Sequence, residues 1–169
     1  MIASLVLGIL PFGLALAGVS DLATMKIPNA IPLVLVLLFF PVAWFAGFGL
    51  SGIGWSCLAA LITFCICFAL FALNAMGGGD AKLLTAVALW YGFNISFVEY
   101  LVTVAFVGGV LTLVILLIRS QAHHLSLLGL RLPASLVTAR KIPYGIAIAI
   151  GGILTFGNSP ITDFIRAAF

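Results

Sequence analysis

Charge is the scarcest thing in this chain. Only 7% of its 169 residues are Asp, Glu, Lys or Arg, while 64% are hydrophobic. A water-soluble domain carries roughly 25% charged residues, because its surface must face water. This surface must face lipid. Seven basic residues scattered among apolar runs form no footprint for nucleic acid, so a nucleic-acid partner is excluded and membrane lipid becomes the expected surroundings. Cysteine is nearly as sparse. Cys57, Cys65 and Cys67 share one apolar run, with no CxxC pair and no second cluster. A structural zinc site takes about four ligands, usually in close pairs, so neither a zinc site nor a disulfide framework is expected. Packing as small residues inside a membrane helix is the plain alternative. The adjacent His123 and His124 have no carboxylate near them in sequence and read as solvated loop residues rather than metal ligands. No cofactor is expected.

The apolar residues that are present fall into six runs: Ile2–Ser20, Ile31–Phe48, Gly54–Leu73, Ala81–Tyr91, Phe97–Ile118 and Ile142–Phe156. The runs are uninterrupted rather than alternating, which selects helices over a barrel. The fold class is therefore all-α: a polytopic integral membrane protein with about six transmembrane helices, residues 1–169 forming one domain. Ala15-Leu16-Ala17 resembles a signal-peptide cleavage site, but the stretch before it lacks a basic region, and Ile2–Val19 is long enough to span. It is read as the first membrane helix.

The connections differ in charge. Those after the first, third and fifth runs hold Lys26, Lys82, Arg119, Arg131, Arg140 and Lys141; those around Gly49–Ile53 and Gly92–Ser96 hold no Lys or Arg. The positive-inside rule places the basic connections in the cytoplasm and both termini outside. The long fifth connection, Arg119–Lys141, mixes leucines with His, Ser, Arg and Thr around Pro133, and is expected to lie partly helical in the headgroup region. Asp163 and Arg166 belong to a short amphipathic tail, and Glu99 falls on the membrane face opposite Asp21 and Asp80.

Only four acidic residues exist, and an ionisable group near hydrocarbon costs several kcal/mol on most scales. Asp21 directly follows the first run, in Ser20-Asp21-Leu22-Ala23-Thr24-Met25-Lys26-Ile27-Pro28-Asn29. Asp80 closes Gly77-Gly78-Gly79-Asp80, just before the fourth run and Lys82. The charge rule puts both on one membrane side. The fourth run is short, about 17 Å as a helix, so Asp80 is expected below the membrane surface unless that helix continues through Phe93–Phe97. The three glycines are expected to permit unusual backbone conformations and close approach of another chain. Two carboxylates a few ångströms apart share one proton, and such a pair can hydrolyse an amide without a metal or a nucleophilic side chain. Spacing alone is equally compatible with each Asp capping a helix end. A small transporter using the two acids as a proton or cation relay also accounts for buried carboxylates, although mid-helix positions are bare of further relay groups.

Asp21 followed by Ile27-Pro28-Asn29, then Gly77-Gly78-Gly79-Asp80 with Lys82, then Lys141-Ile142-Pro143-Tyr144-Gly145 together resemble the type IV prepilin peptidase family of intramembrane aspartic peptidases. The resemblance covers Asp21 to about Gly151. It implies that Asp21 and Asp80 are the catalytic pair of a GxGD-type aspartic endopeptidase. It further implies that the substrate is a prepilin-like protein, a short basic leader ending in Gly followed by an apolar helix, cut at the cytoplasmic face of the bacterial inner membrane during pilus biogenesis. Gly77, Gly78, Gly79, Lys82, Lys26, Pro28 and Asn29 are the expected substrate-binding or site-shaping residues. The two lysines read either as topology markers or as charges that tune an aspartate or meet an acidic substrate residue. Pro28 and Asn29 are expected to open the second helix, with Asn29 as its cap. The chain lacks the long form's paired CxxC motifs, and so resembles the short peptidases of tight-adherence (Flp-type) pili, with peptidase but not methyltransferase activity expected. Archaeal preflagellin peptidases share the two-aspartate logic.

Overall fold

A computed structural model describes residues 2–121 and 142–168, and among these the chain is helical with no strand. The helices are α1 (Ile2–Thr24), α2 (Ala30–Phe45), α3 (Gly49–Ala72), α4 (Gly78–Tyr91), α5 (Ile95–Ser120), α6 (Gly145–Thr155) and α7 (Pro160–Ala168). The first six coincide with the six apolar runs, and the protein is an all-α polytopic membrane protein. Three of them, α1, α3 and α5, are each long and apolar enough to cross a membrane; α6 and α7, joined by a short 3-10 turn and bent by 58°, make a fourth if taken as one span. At 16 and 14 residues, α2 and α4 are shorter, about 24 and 21 Å. The connection at 122–141, with His123 and His124, lies outside the described residues.

The short α4 is the centre of the bundle. Nine of its fourteen residues, Ala81, Leu83, Leu84 and the unbroken run Ala86–Tyr91, are buried. It packs on α3 along one side and on α2 along another, while α6 lies between α1 and α5. Buried indole and phenol groups need partners in a medium without water. Trp90 donates its ring N–H to the Leu35 carbonyl at 3.1 Å, and Tyr91 Oη shares a 2.8 Å hydrogen bond with Thr155 Oγ1 and donates to Gly152 O at 3.1 Å. The long α1, α3 and α5 expose rows of Leu, Ile, Val and Phe, as lipid requires.

Glycine sets how closely the helices approach. A Cβ at Gly108 would lie 2.4 Å from the Tyr144 ring, one at Gly151 2.6 Å from Val104, and one at Gly152 2.4 Å from Leu14. Of the adjacent pairs Gly108-Gly109 and Gly151-Gly152, three glycines thus serve close packing, while Gly109 has open space beside it.

Several boundaries move. The second connection is Ala46–Phe48 rather than Gly49–Ile53, because Gly47 and Gly49 supply the left-handed conformations of the turn (φ 75° and 74°) and the helix resumes at once. Helix α4 stops at Tyr91, where Gly92 takes φ 70°, and Asn94 caps α5 by accepting from Ser96 N and Phe97 N. The alternative of a fourth helix running on through Phe97 is thereby removed. On that end of the bundle, Glu99 accepts from Asn158 Nδ2 at 3.0 Å, and the exposed Asp163 and Arg166 pair along α7 at 3.5 Å.

Candidate active site

Asp21 does not follow the first helix; it sits in the last turn of α1, which runs on to Thr24. Met25 then takes the left-handed conformation (φ 55°) with its N–H on the Asp21 carbonyl at 2.8 Å, ending the helix as a C-terminal turn usually does with glycine. Ser20 Oγ and Thr24 Oγ1 both donate to the Lys26 carbonyl, at 2.9 and 3.3 Å, and fold the chain back beneath the helix end. That fold buries Ile27 in the interior while Lys26, Pro28 and Asn29 stay at the rim.

Ile27 is the wedge of the site. A Cβ at Gly79, in the first turn of α4, would lie 3.2 Å from Ile27 Cβ, and one at Gly145, the first residue of α6, would lie 2.9 Å from Ile27 Cδ1. One isoleucine therefore seats the starts of two helices against the end of a third. The same Cβ on Gly145 would meet Asp21 Oδ2 at 2.8 Å, because Asp21 accepts the Gly145 N–H at 2.7 Å. Capping, one of the alternatives open in the sequence, is thus real for Asp21, but the helix it caps is α6, far away in the chain. Asp21 itself is only 6% exposed.

Asp80 is half-buried and lies inside the first turn of α4, three residues after Gly77, which occupies the cap position in extended conformation. Asp80 therefore belongs to the fourth helix and does not precede it. None of Gly77, Gly78 and Gly79 has a positive φ, so unusual conformation is not their role. Close approach is: a Cβ on Gly77 would meet Asp80 Oδ2 at 2.8 Å, one on Gly78 the Phe71 ring at 3.1 Å, and one on Gly79 Ile27. The buried Cys67 of α3 stands within electrostatic range of Asp80.

Both acids line one cleft of about 340 Å³, together with Met25, Lys26, Ile27, Asn29, Ile142 and the three glycines. A second hollow of about 380 Å³ adjoins it, sharing Gly77, Asp80 and Ile142 and adding Asn74, Met76 and Tyr144. Asp80 therefore stands between two openings. Lys82 and Asn29 are brought together at the rim, Lys82 Nζ donating to Asn29 Oδ1 at 2.9 Å. Asn29 occupies the cap position of α2, but its side chain makes no cap bond, since its oxygen is turned to Lys82. Pro28 O accepts from Ile31 N at 3.1 Å and shapes the first turn of α2. Lys26 lines the cleft from its exposed edge.

Three helices, α2, α4 and α6, begin at this cleft. Their N-termini carry the positive ends of the backbone dipoles, each worth roughly 0.3–1 kcal/mol to a neighbouring negative group, and so offset part of the repulsion between two acids in one cavity. No group of three or more His, Cys, Asp or Glu side chains converges among the described residues. Met25, Ile27, Ile142 and Gly145 went unassigned in the sequence. The Pro143-Tyr144-Gly145 stretch was the available signal for Gly145 and the Ile27-Pro28-Asn29 motif for Ile27, although neither pattern tells what the residue packs against.

No curated protein and no solved structure matches the chain. A family model described as the type IV leader peptidase family matches residues 8–117, a stretch that holds Asp21, the Ile27-Pro28-Asn29 turn, the three glycines, Asp80 and Lys82. With well over half its length matched, this membrane protein belongs to the type IV leader peptidase family.

Proposed function

We propose that the chain is an intramembrane aspartic endopeptidase that removes the leader from prepilin-like proteins, with Asp21 and Asp80 as the catalytic pair. The observation that carries this reading is that the last turn of α1 and the first turn of α4 deliver one carboxylate each to the same cleft. The remaining rim residues, Lys26, Pro28, Asn29 and Lys82, shape that cleft rather than react.

Such a pair works with one proton shared between two carboxyl groups. The ionised member takes a proton from water as the water oxygen bonds to the scissile carbonyl carbon, and the protonated member gives its proton to the carbonyl oxygen. The tetrahedral intermediate then expels the amine: the C–N bond breaks, the nitrogen takes up a proton from the pair, and the new carboxyl group leaves with the leader. The chemistry needs no metal and no cofactor. Lys26 and Lys82 at the cleft edge and Arg119 at the end of α5 put basic residues at this end of the bundle, which supports a cytoplasmic site in the inner membrane with both termini outside.

The test is cleavage, in detergent or liposomes, of a model substrate with a basic leader ending in Gly followed by an apolar helix of about 20 residues. Asp21→Asn and Asp80→Asn are each expected to lower turnover by about 10³-fold, within the range that removal of general acid–base catalysis produces, while leaving the folded protein in the membrane. Cleavage that survives both substitutions would remove the pair from the mechanism.

A further inference from the structure

On the outer wall of the bundle a groove of about 310 Å³ runs between α1 and α2, lined by Phe12, Gly13 and Leu16 on one side and Ala30, Val34 and Leu38 on the other. Ala30, Val34 and Leu38 fall at spacings of four and so form one stripe, as do Phe12 and Leu16. Nearly every lining atom is carbon. The groove begins close to the cleft along the chain: Asn29 lines the cleft and the next residue, Ala30, opens the groove, while Leu16 of the groove precedes Asp21 of the cleft by little more than a turn of α1.

A leader-peptidase substrate has to leave the cleft as a membrane helix. The hollow beside Asn74 and Tyr144 carries polar groups and suits an extended peptide; the α1–α2 groove, whose near end is one residue from the cleft, carries almost none. In lipid, helices associate by van der Waals packing rather than by a hydrophobic driving force, and small residues allow the close approach. Ala30 is such a residue, exposed at the end of the groove nearest the cleft, while Gly13 lets Leu35 of α2 pack close against α1 and so forms the groove floor. From Ala30 to Leu38 the groove extends about 12 Å, a little over two turns. We infer that this groove receives the first turns of the substrate's transmembrane helix, immediately after the bond that is cut. The inference rests on the leader-peptidase reading, and deepens it by naming where the uncleaved part of the substrate sits.

The test keeps the two separable. A photo-crosslinking residue is placed at Val34 in the Asp80→Asn protein, reconstituted in liposomes with the model substrate. Leu113, a lipid-exposed position of α5, serves as control. Cross-links from Val34 to the first three turns of the substrate helix, and none from Leu113, are expected. In the otherwise unaltered enzyme, Val34→Trp and the milder Ala30→Leu should fill the groove and lower kcat/KM about tenfold, the effect of losing a modest helix–helix contact in lipid, with Leu113→Trp unchanged. Adducts to lipid alone, equal cross-linking from Leu113, or unaltered kcat/KM in both groove variants would overturn the inference. Asp-dependent cleavage without the Val34 cross-link removes the groove and leaves the peptidase; the cross-link together with cleavage that ignores both aspartates keeps the groove and removes the pair.

Discussion

At the scale of single residues, the carboxylates are held by absent side chains as much as by present ones. Gly77 and Gly145 each leave the space that an Asp oxygen fills, with a Cβ on either one 2.8 Å from that oxygen. Gly77→Ala and Gly145→Ala should therefore displace Asp80 and Asp21 respectively. A misplacement of about 1 Å at a reacting group costs about 10²-fold in rate, and that fall in turnover is expected of each variant in the cleavage assay. Gly145→Ala should also lower stability by about 1–3 kcal/mol, as overpacking does, because the added carbon meets Ile27 as well. Gly109→Ala is the control: its side is open, alanine is the better helix former by up to about 1 kcal/mol, and thermal unfolding in detergent should show no loss. Lys82→Met removes the bond to Asn29 that ties α4 to α2 across the rim. Turnover should fall by a smaller factor than in the glycine variants, and Lys82→Arg, which keeps a donor, should recover part of it.

At the scale of elements, α4 decides the geometry. It is too short to span alone, and it is buried on nearly every side, so its N-terminus and Asp80 are set by its neighbours rather than by the lipid surface. Its far end is pinned by Tyr91 to Thr155 and Gly152 of α6. Tyr91→Phe should destabilise the protein by about 0.6–1.7 kcal/mol, the span measured for interhelical hydrogen bonds in membranes, yet leave cleavage close to normal because that hydroxyl lies at the opposite end of α4 from Asp80. A denaturation series paired with the cleavage assay checks both halves. Much of this layer is legible in the sequence: uninterrupted apolar runs announce α1 to α6, and the shortness of the fourth run announces the shortness of α4. What stays hidden is contact over distance. The bond from Asp21 to the first N–H of α6 joins residues 124 positions apart, and no local pattern records it. The ends of α1 and α3 were misplaced for a related reason. A helix can continue past its apolar run through residues of low helix propensity, as it does at Asp21–Thr24 and Gly49–Ile53 here.

For the whole molecule, the chain sorts its polar groups to two ends. One end gathers Asp21, Asp80, Lys26, Lys82 and Asn29; the other pairs Glu99 with Asn158 and closes with the amphipathic α7. This separation turns the proposed orientation into an experiment. With the native cysteines replaced, a cysteine at Asn74 should react with a membrane-impermeant maleimide only from the cytoplasmic side of inverted vesicles, and one at Gly157 only from the outside of intact cells. The reverse pattern would invert the topology while leaving the cleft intact. The charge count on which that orientation rests draws on Arg131, Arg140 and Lys141 as well, which lie outside the described residues.

The hydrogen bond between Asp21 and Gly145 also bears on where this protein can be cut. The stretch by which its family is recognised ends at residue 117, whereas the N–H that holds one of the two acids comes from residue 145. A minimal enzyme trimmed to the recognisable stretch would keep both aspartates, every glycine of the GxGD turn and the isoleucine wedge, and still leave Asp21 without its hydrogen-bond partner and Ile27 with one of its two walls missing. Supplying residues 142–168 as a separate co-expressed piece should restore function to such a fragment; adding length anywhere else should not. The stretch that is recognised and the stretch that holds the proposed pair in place have different ends.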